Sequence, residues 1–330
     1  MRSVLVAPDS FKGTFSAGQV AAAISSGIRA SQVSAIELPV ADGGEGTLAV
    51  LADALGLAER TAASRDAWGA EITAGYGLAA DATAVIELAR TSGFASTHDR
   101  ARDPMTASTY GVGMLVIDAV RAGARHIVVA AGGSASTDGG AGALAAISDG
   151  GGLAGAHLRV LTDVTNPFLD AATIFAPQKG ADAQQVAQLT DRLQRLARAW
   201  PRDPRKVAGS GAAGGFAGGM WAALGADLVP GAAFVLDALD IDGLLRSVDA
   251  VVVGEGRLDS QSQHGKIVSA VVDRARAVPV YAVVGSRAGE LGSLADRFAA
   301  IHVAGDELEM RAAGARIGAA VSSAGSRRRR

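Results

Sequence analysis

Short apolar runs, each closed by glycine or small polar residues, alternate along this chain with longer stretches whose apolar residues recur every three or four positions. The first run, Ser3-Val4-Leu5-Val6, is apolar and β-branched and stops at Pro8, the pattern of a short buried strand. Residues 16–29 read as an amphipathic helix. Val20, Ile24 and Ile28 share a face, and Ser16 with Gln19 three residues on makes a capping box. "SAIELPV" (34–40) is a second strand ending at "ADGGEGT" (41–47). A helix with Leu48, Leu51 and Leu55 on one side follows, with Gly56 as its stop. An opening of strand, helix, strand, helix implies a parallel sheet.

The C-terminal part repeats this style. "DAVVVGEG" (249–256), "VPVYAVVGS" (278–286) and "FAAIHVAG" (298–305) are strands separated by helical stretches. The middle differs: "AEITAGYGL" and "ATAVIELA" within 58–89 are joined by short links, which predicts hairpins. Residues 105–122 read as a helix, 126–147 as strand, glycine turn and helix, and 158–167 as strand and turn. A helix over 182–200 has Asp182 and Gln185 as its capping box, and "GSGAAGGFAGGMWAAL" (209–224) is a glycine cluster entering a helix that holds Trp221. Trp200 and Trp221 read as core. The fold class is therefore α/β with two domains: a parallel-sheet domain from 1–57 and 247–330, and an inserted mixed α/β domain over 58–246. "AGSRRRR" (324–330) reads as a disordered basic tail.

Composition narrows the function. About half of the 330 residues are hydrophobic, yet aromatics are scarce, so the core is built from Ala, Val, Leu and Ile. A net charge of -2 gives no reason to expect nucleic acid or an anionic membrane as partner. There is no cysteine, which excludes disulfides, thiolate catalysis and cysteine–zinc sites. No apolar run has the length of a membrane span, and the expected location is the cytoplasm. Walker-type, protein-kinase, HExxH and Gly-x-Ser-x-Gly signatures are all missing. "GSGAAG" fits a dinucleotide pattern but no convincing strand precedes it.

What remains is a set of strand ends that close in small, acid-bearing turns: "PDSFKG", "ADGGEGT", "GGSASTDGG", "TDVTNP" and "GEGRLDSQSQHGK". Such turns are ordinary loop chemistry. They are also where open α/β sheets bind ligands, and their glycines let backbone N–H groups approach an anion.

Jointly these stretches, with "APDSFKGTFSA", "APQKGA" and "GSGAAGGFAGG", resemble the bacterial glycerate kinase family, in order and style from residue 4 to about 305. The resemblance implies a flavodoxin-like domain plus a second domain, with the active site in the cleft. It implies ATP-dependent phosphorylation of D-glycerate, usually at the 2-hydroxyl, with Mg²⁺. Phosphorylation at the 3-hydroxyl, another small hydroxy acid, or a catalytically weak ligand-binding homologue are the alternatives. Two departures motivate the last. Only a short link joins Leu144 to Leu158, and "FLDAATIFAPQKGA" lacks the family's usual Gly-Pro-x-Gly-Ala turn.

Kinase chemistry needs a phosphate clamp, a metal, and a way to position or deprotonate the acceptor hydroxyl. The expected catalytic set is Asp9, Lys12, Asp42, Glu45, Asp138 and Asp163. Ser10, Gly43, Gly44, Thr137, Asn166, Gln178 and Lys179 are expected at the substrate. Gly254, Glu255, Gly256, Arg257 and Lys266 are expected at the nucleotide, and Asp42, Glu255 and Asp259 at the metal. Each has a plain alternative: Asp42 as an N-cap, Asp138 in a simple Asx turn, Asn166 in the turn before Pro167, Arg257 in a structural ion pair. His264 reads as structural.

Overall fold

A computed structural model describes residues 2–94, 102–258, 267–289 and 291–327. The strands are β1 (Ser3–Pro8), β2 (Ser34–Glu37), β3 (Ala58–Arg65), β4 (Glu71–Leu78), β5 (Thr83–Glu87), β6 (His126–Ala130), β7 (His157–Thr162), β8 (Asp227–Pro230), β9 (Ala250–Leu258), β10 (Val280–Arg287) and β11 (Ala300–Val303). The helices are α1 (Ala17–Arg29), α2 (Thr47–Leu51), α3 (Ala89–Ser92), α4 (Tyr110–Arg121), α5 (Ala141–Asp149), α6 (Asp170–Thr173), α7 (Ala183–Ala199), α8 (Phe216–Leu224), α9 (Gly231–Ala238), α10 (Ile241–Leu245), α11 (Ile267–Arg274) and α12 (Glu307–Arg327). The chain divides into two compact units, Met1–Asp42 with Val235–Arg330, and Gly43–Phe234. These bounds differ from the 57/58 and 246/247 read from the sequence. The reason on the N-terminal side is α2, which is tied to the second unit. The Leu48 N–H donates to the buried Glu87 carboxylate at 2.8 Å.

The first unit carries a five-stranded sheet in the order β11-β10-β9-β1-β2, parallel throughout. Counted along this unit the order is 2-1-3-4-5, the flavodoxin-like winding. Both faces are buried: Val4, Val6 and Val252 meet α1 and α12 through Val20, Ile24, Met310 and Ile317. On the alternate positions Leu5, Val251 and Val253 are also shut off from solvent. That is why these strands read as continuous apolar runs rather than alternating ones. The α1 capping box forms as expected, Ser16 accepting from the Gln19 N–H and Gln19 accepting from Ser16. Helices α1 and α12 approach closely at glycines: a Cβ on Gly27 would lie 2.0 Å from the Arg311 carbonyl oxygen, and one on Gly314 2.1 Å from that of Ile24.

The second unit holds a six-stranded sheet in the order β3-β4-β5-β6-β7-β8. β3, β4 and β5 are joined as antiparallel hairpins, and β5 to β8 run parallel. Its core is centred on Tyr76, Ile86, Leu115, Ile127, Val129, Phe216 and Met220. A smaller cluster gathers Phe168, Leu189 and Leu193 with Trp200 against them, the Phe168 and Trp200 rings meeting edge to face at 5.5 Å. Trp221 is half-buried, with the Arg202 guanidinium stacked 3.6 Å over its ring, so its setting is a cation–π contact at the core's edge.

Two expectations change. The helix expected from 105 begins at Tyr110, because the Asp138 carboxylate takes both the N–H and the hydroxyl of Thr109 and fixes the chain there. The terminal helix α12 runs to Arg327, so the backbone of 324–327 is helical; 328–330 lie outside the described residues. The short link after Leu144 runs through a glycine-rich turn between Asp149 and His157, and β7 pairs with both β6 and β8.

Candidate active site

In the first unit the chain leaves β1 toward β2 on one side, while β9 pairs on the other. That reversal between β1 and β9 opens a crevice beyond the strand carboxyl ends, the usual ligand position in such sheets. A cavity of about 480 Å³ lies there. The turn after β1 supplies Asp9, Ser10 and Lys12 to its wall; Asp42 comes from the stretch after β2, and Glu255, Gly256 and Arg257 from the end of β9. The first turn is held by the Asp9 N–H donating to the Gly254 carbonyl at 2.8 Å. It also lies flat on bare backbone: a Cβ on Gly256 would stand 3.2 Å from the Phe11 Cα, and one on Gly285 only 2.7 Å from the Gly256 oxygen.

The electrostatics of this cavity are set by acids close together. Asp9 is 7% exposed. Burial first, and the Asp42 charge second, push its carboxyl up to about 7, against the Ser10 N–H and the Lys12 ammonium, which favour the anion. The Ser10 N–H donates to Asp9 Oδ1 at 2.6 Å. Lys12 Nζ stands 3.7 Å from Asp42 Oδ2, with the lysine side chain 68% exposed. It is an exposed cation paired with a buried acid. Among the described residues no three His, Asp or Glu side chains are grouped to cage a metal. Magnesium does not require such a cage: it keeps several waters and takes one or two carboxylates plus phosphate oxygens.

The second unit has its own cavity, of about 280 Å³. Asp163 follows β7 into it, Gln178 and Lys179 enter from a 3-10 turn, and Gly132, Gly133 and Ser134 follow β6. Ala213 and Gly214 complete the wall, both in the left-handed region at φ 53 and φ 68. Lys179 is 6% exposed and its ammonium donates to the Ser136 carbonyl. Burial lowers its pKa to about 8, opposed by the charge of Asp138.

Several expected site residues stand elsewhere. Asp138 is a latch: its Oδ2 accepts from the Thr109 N–H and hydroxyl at 2.8 Å and from the Gly142 N–H at 3.1 Å, and its Oδ1 from the Gly140 N–H at 2.9 Å. Those donors occupy the carboxylate and cap the first turn of α5. Asn166 donates to Asp170 at 3.0 Å, fixing the start of α6. Gly43 and Gly44 serve close backbone packing, since a Cβ on Gly43 would lie 2.8 Å from the Gly231 Cα and one on Gly132 2.6 Å from the Gly44 Cα. Gly254 is inside β9, and Glu45 is exposed on the turn before α2, lining neither cavity. Thr137 is fully buried, its hydroxyl without a hydrogen-bond partner among the described residues. Asp259, His264 and Lys266 lie outside the described residues. Sequence reasoning missed Thr14, Ser286 and Gly305 in the first cavity and Ser134, Ala213 and Gly214 in the second. Only Ser134 lies in a stretch already marked as a ligand-type turn, "GGSASTDGG"; none of the six carries a charge to single it out.

Against known proteins, the profile of the glycerate kinase family matches residues 4–149 and 151–324, the break falling in the trimmed turn before β7. Glycerate 2-kinase of Escherichia coli K12 is 36% identical over 329 residues, covering 88% of this chain and 86% of that protein. Glycerate kinase of Bacillus subtilis 168 is 36% identical over 323 residues, covering 86% and 85%. A crystal structure of a protein assigned as glycerate kinase 2 from Salmonella typhimurium LT2 superposes with a TM-score of 0.82 at 31% identity, over 98% of this chain and 99% of that one.

Proposed function

The chain belongs to the glycerate kinase family and is a kinase, and from that premise we propose that it transfers the γ-phosphoryl group of ATP to the 2-hydroxyl of D-glycerate, giving 2-phosphoglycerate. The observation that carries the assignment of chemistry to this chain is the first unit's cavity. It gathers a buried acid of raised pKa, two further carboxylates and two cations at the ligand position of a flavodoxin-like sheet.

In this reading Lys12 clamps a phosphate as a point charge with three donors. Its exposed head stands on the rim 3.7 Å from Asp42 Oδ2. Arg257, also exposed on this wall, adds a second cation for the polyphosphate. Asp9 accepts the proton of the acceptor hydroxyl. A base is most effective when its pKa lies near the working pH, and burial has moved this one there. The carboxylates fit a divalent ion shared with the nucleotide: Asp42 and Glu255 would hold Mg²⁺ with phosphate oxygens and water completing its shell. That ion, when bound, neutralises charge on the phosphates. Positioning and charge stabilisation supply most of the rate in such transfers.

The test is ATP consumption with D-glycerate and Mg²⁺, with NMR of the product. D-Glycerate-dependent turnover yielding 2-phosphoglycerate supports the reading. Turnover yielding 3-phosphoglycerate moves the acceptor position, and glycerate binding without turnover returns the chain to the ligand-binding alternative.

A further inference from the structure

The second unit's cavity has a buried cation in its wall. Lys179 is more than nine-tenths buried and lines the cavity wall. An ammonium offers three hydrogens. Among the described residues its one hydrogen bond is to the Ser136 carbonyl, and it forms no ion pair. The acid whose charge acts on it, Asp138, already accepts four hydrogen bonds from other donors. A buried ammonium with one hydrogen bond to a carbonyl has further hydrogens to offer an anionic ligand in the cavity it lines.

The rest of the wall indicates the chemistry of that ligand. Asp163 is half-buried on the same cavity, an acceptor suited to a hydroxyl and repellent to a phosphate dianion. Gln178 and Ser134 add neutral donors and acceptors. Gly132, Gly133 and Gly214 complete the wall around them. Ala213 on the same wall has a left-handed backbone, at φ 53. A cation, a hydroxyl acceptor and a carboxamide in about 280 Å³ complement a small hydroxylated carboxylate.

We infer that this cavity is the carboxylate subsite for a small hydroxy acid, with the Lys179 ammonium as counter-charge and Asp163 as acceptor for a ligand hydroxyl. The inference rests on the glycerate kinase reading for the identity of the acid, but not for the existence of the site. Lys179 is here a binding residue, and its partner is a carboxylate, not the nucleotide.

The experiment compares wild type with Lys179→Met and Lys179→Arg in the full chain. Binding of D-glycerate and of its neutral amide is measured by calorimetry, and KM for D-glycerate and for ATP by turnover. Wild type should prefer the acid over the amide at least tenfold. Lys179→Met should lose that preference and raise the glycerate KM at least tenfold with the ATP KM unchanged, while Lys179→Arg recovers part of it. Equal binding of acid and amide by wild type overturns the inference without any variant having to fold. A Lys179→Met protein that melts lower but keeps its preference and glycerate KM overturns it as a purely structural lysine. A rise confined to the ATP KM overturns it as a nucleotide clamp. Absence of kinase turnover with intact acid preference would instead contradict the proposed reaction and leave the subsite standing.

Discussion

Asp9 and Asp138 illustrate how similar-looking acids on glycine turns diverge once their neighbours are known. Both lie on the stretch between a strand and the next helix, and both are 7% exposed. Asp138 is surrounded by backbone donors and holds two helices in place; Asp9 accepts from the Ser10 N–H and faces another carboxylate. The sequence marked both as candidates, since the acid and the glycines are visible there. Two of the donors that occupy Asp138, Gly140 and Gly142, are the local turn that its sequence allowed, but the other two come from Thr109, distant in sequence, and no local pattern announces them. Two predictions follow from the contrast. Asp138→Ala leaves several buried donors unmatched and should cost about 2–4 kcal/mol by urea unfolding; stability within about 0.5 kcal/mol of wild type would contradict the latch. Asp9 has a folded pKa raised above its ordinary value, to about 7. A group so shifted favours the fold below its unfolded pKa near 4 and loses that contribution as pH rises through about 7. Asp9→Asn should therefore melt above wild type at pH 8 and with it at pH 3.5, whereas an equal offset at both pH values would refute the buried-acid account. As the base, Asp9 should also give kcat/KM an ascending limb near pH 7, and its replacement by Asn should cost on the order of 10²–10⁴-fold. For Lys12, replacement by Ala should lower kcat/KM roughly tenfold, about 1.4 kcal/mol of transition-state binding, with little change in melting temperature; an unchanged kcat/KM makes it an ordinary surface lysine.

At the scale of elements, strands and caps were legible where local chemistry decides them. Val4 to Val6, the Ser16–Gln19 box and the Asp182–Gln185 box all act as their types and spacing imply. Strand β8 was not legible: "DLVP" is four residues ending in proline, and only pairing with Arg159–Thr162 of β7 makes it a strand. The glycine clusters were read as ligand turns, and many instead bring backbones together. Gly219 is such a case, its Cβ position lying 2.1 Å from the Gly139 oxygen, so that "STDGG" and "GFAGG" are one packed unit. Gly314 does the same between α12 and α1. Gly314→Ala should destabilise the first unit by about 1–3 kcal/mol through overpacking, and an unchanged midpoint of chemical unfolding would show that the helix pair relaxes at no cost.

For the whole molecule, hydrophobic patterning carried the fold class, because a parallel sheet covered on both faces leaves uninterrupted apolar runs in the sequence. The limits of each unit were harder to read, since Asp42 and Gly43 lie on one continuous turn and belong to different units. The family resemblance rested on motifs, and the match over 4–149 and 151–324 agrees with their span. The central claim is a reaction, and one measurement reaches it directly: ADP release on adding D-glycerate to purified protein with ATP and Mg²⁺, followed by NMR of the phosphorylated product. The account predicts glycerate-dependent ADP release that stops in excess EDTA, with 2-phosphoglycerate as product. ATP consumption that is indifferent to D-glycerate, or that continues unabated in EDTA, would contradict it.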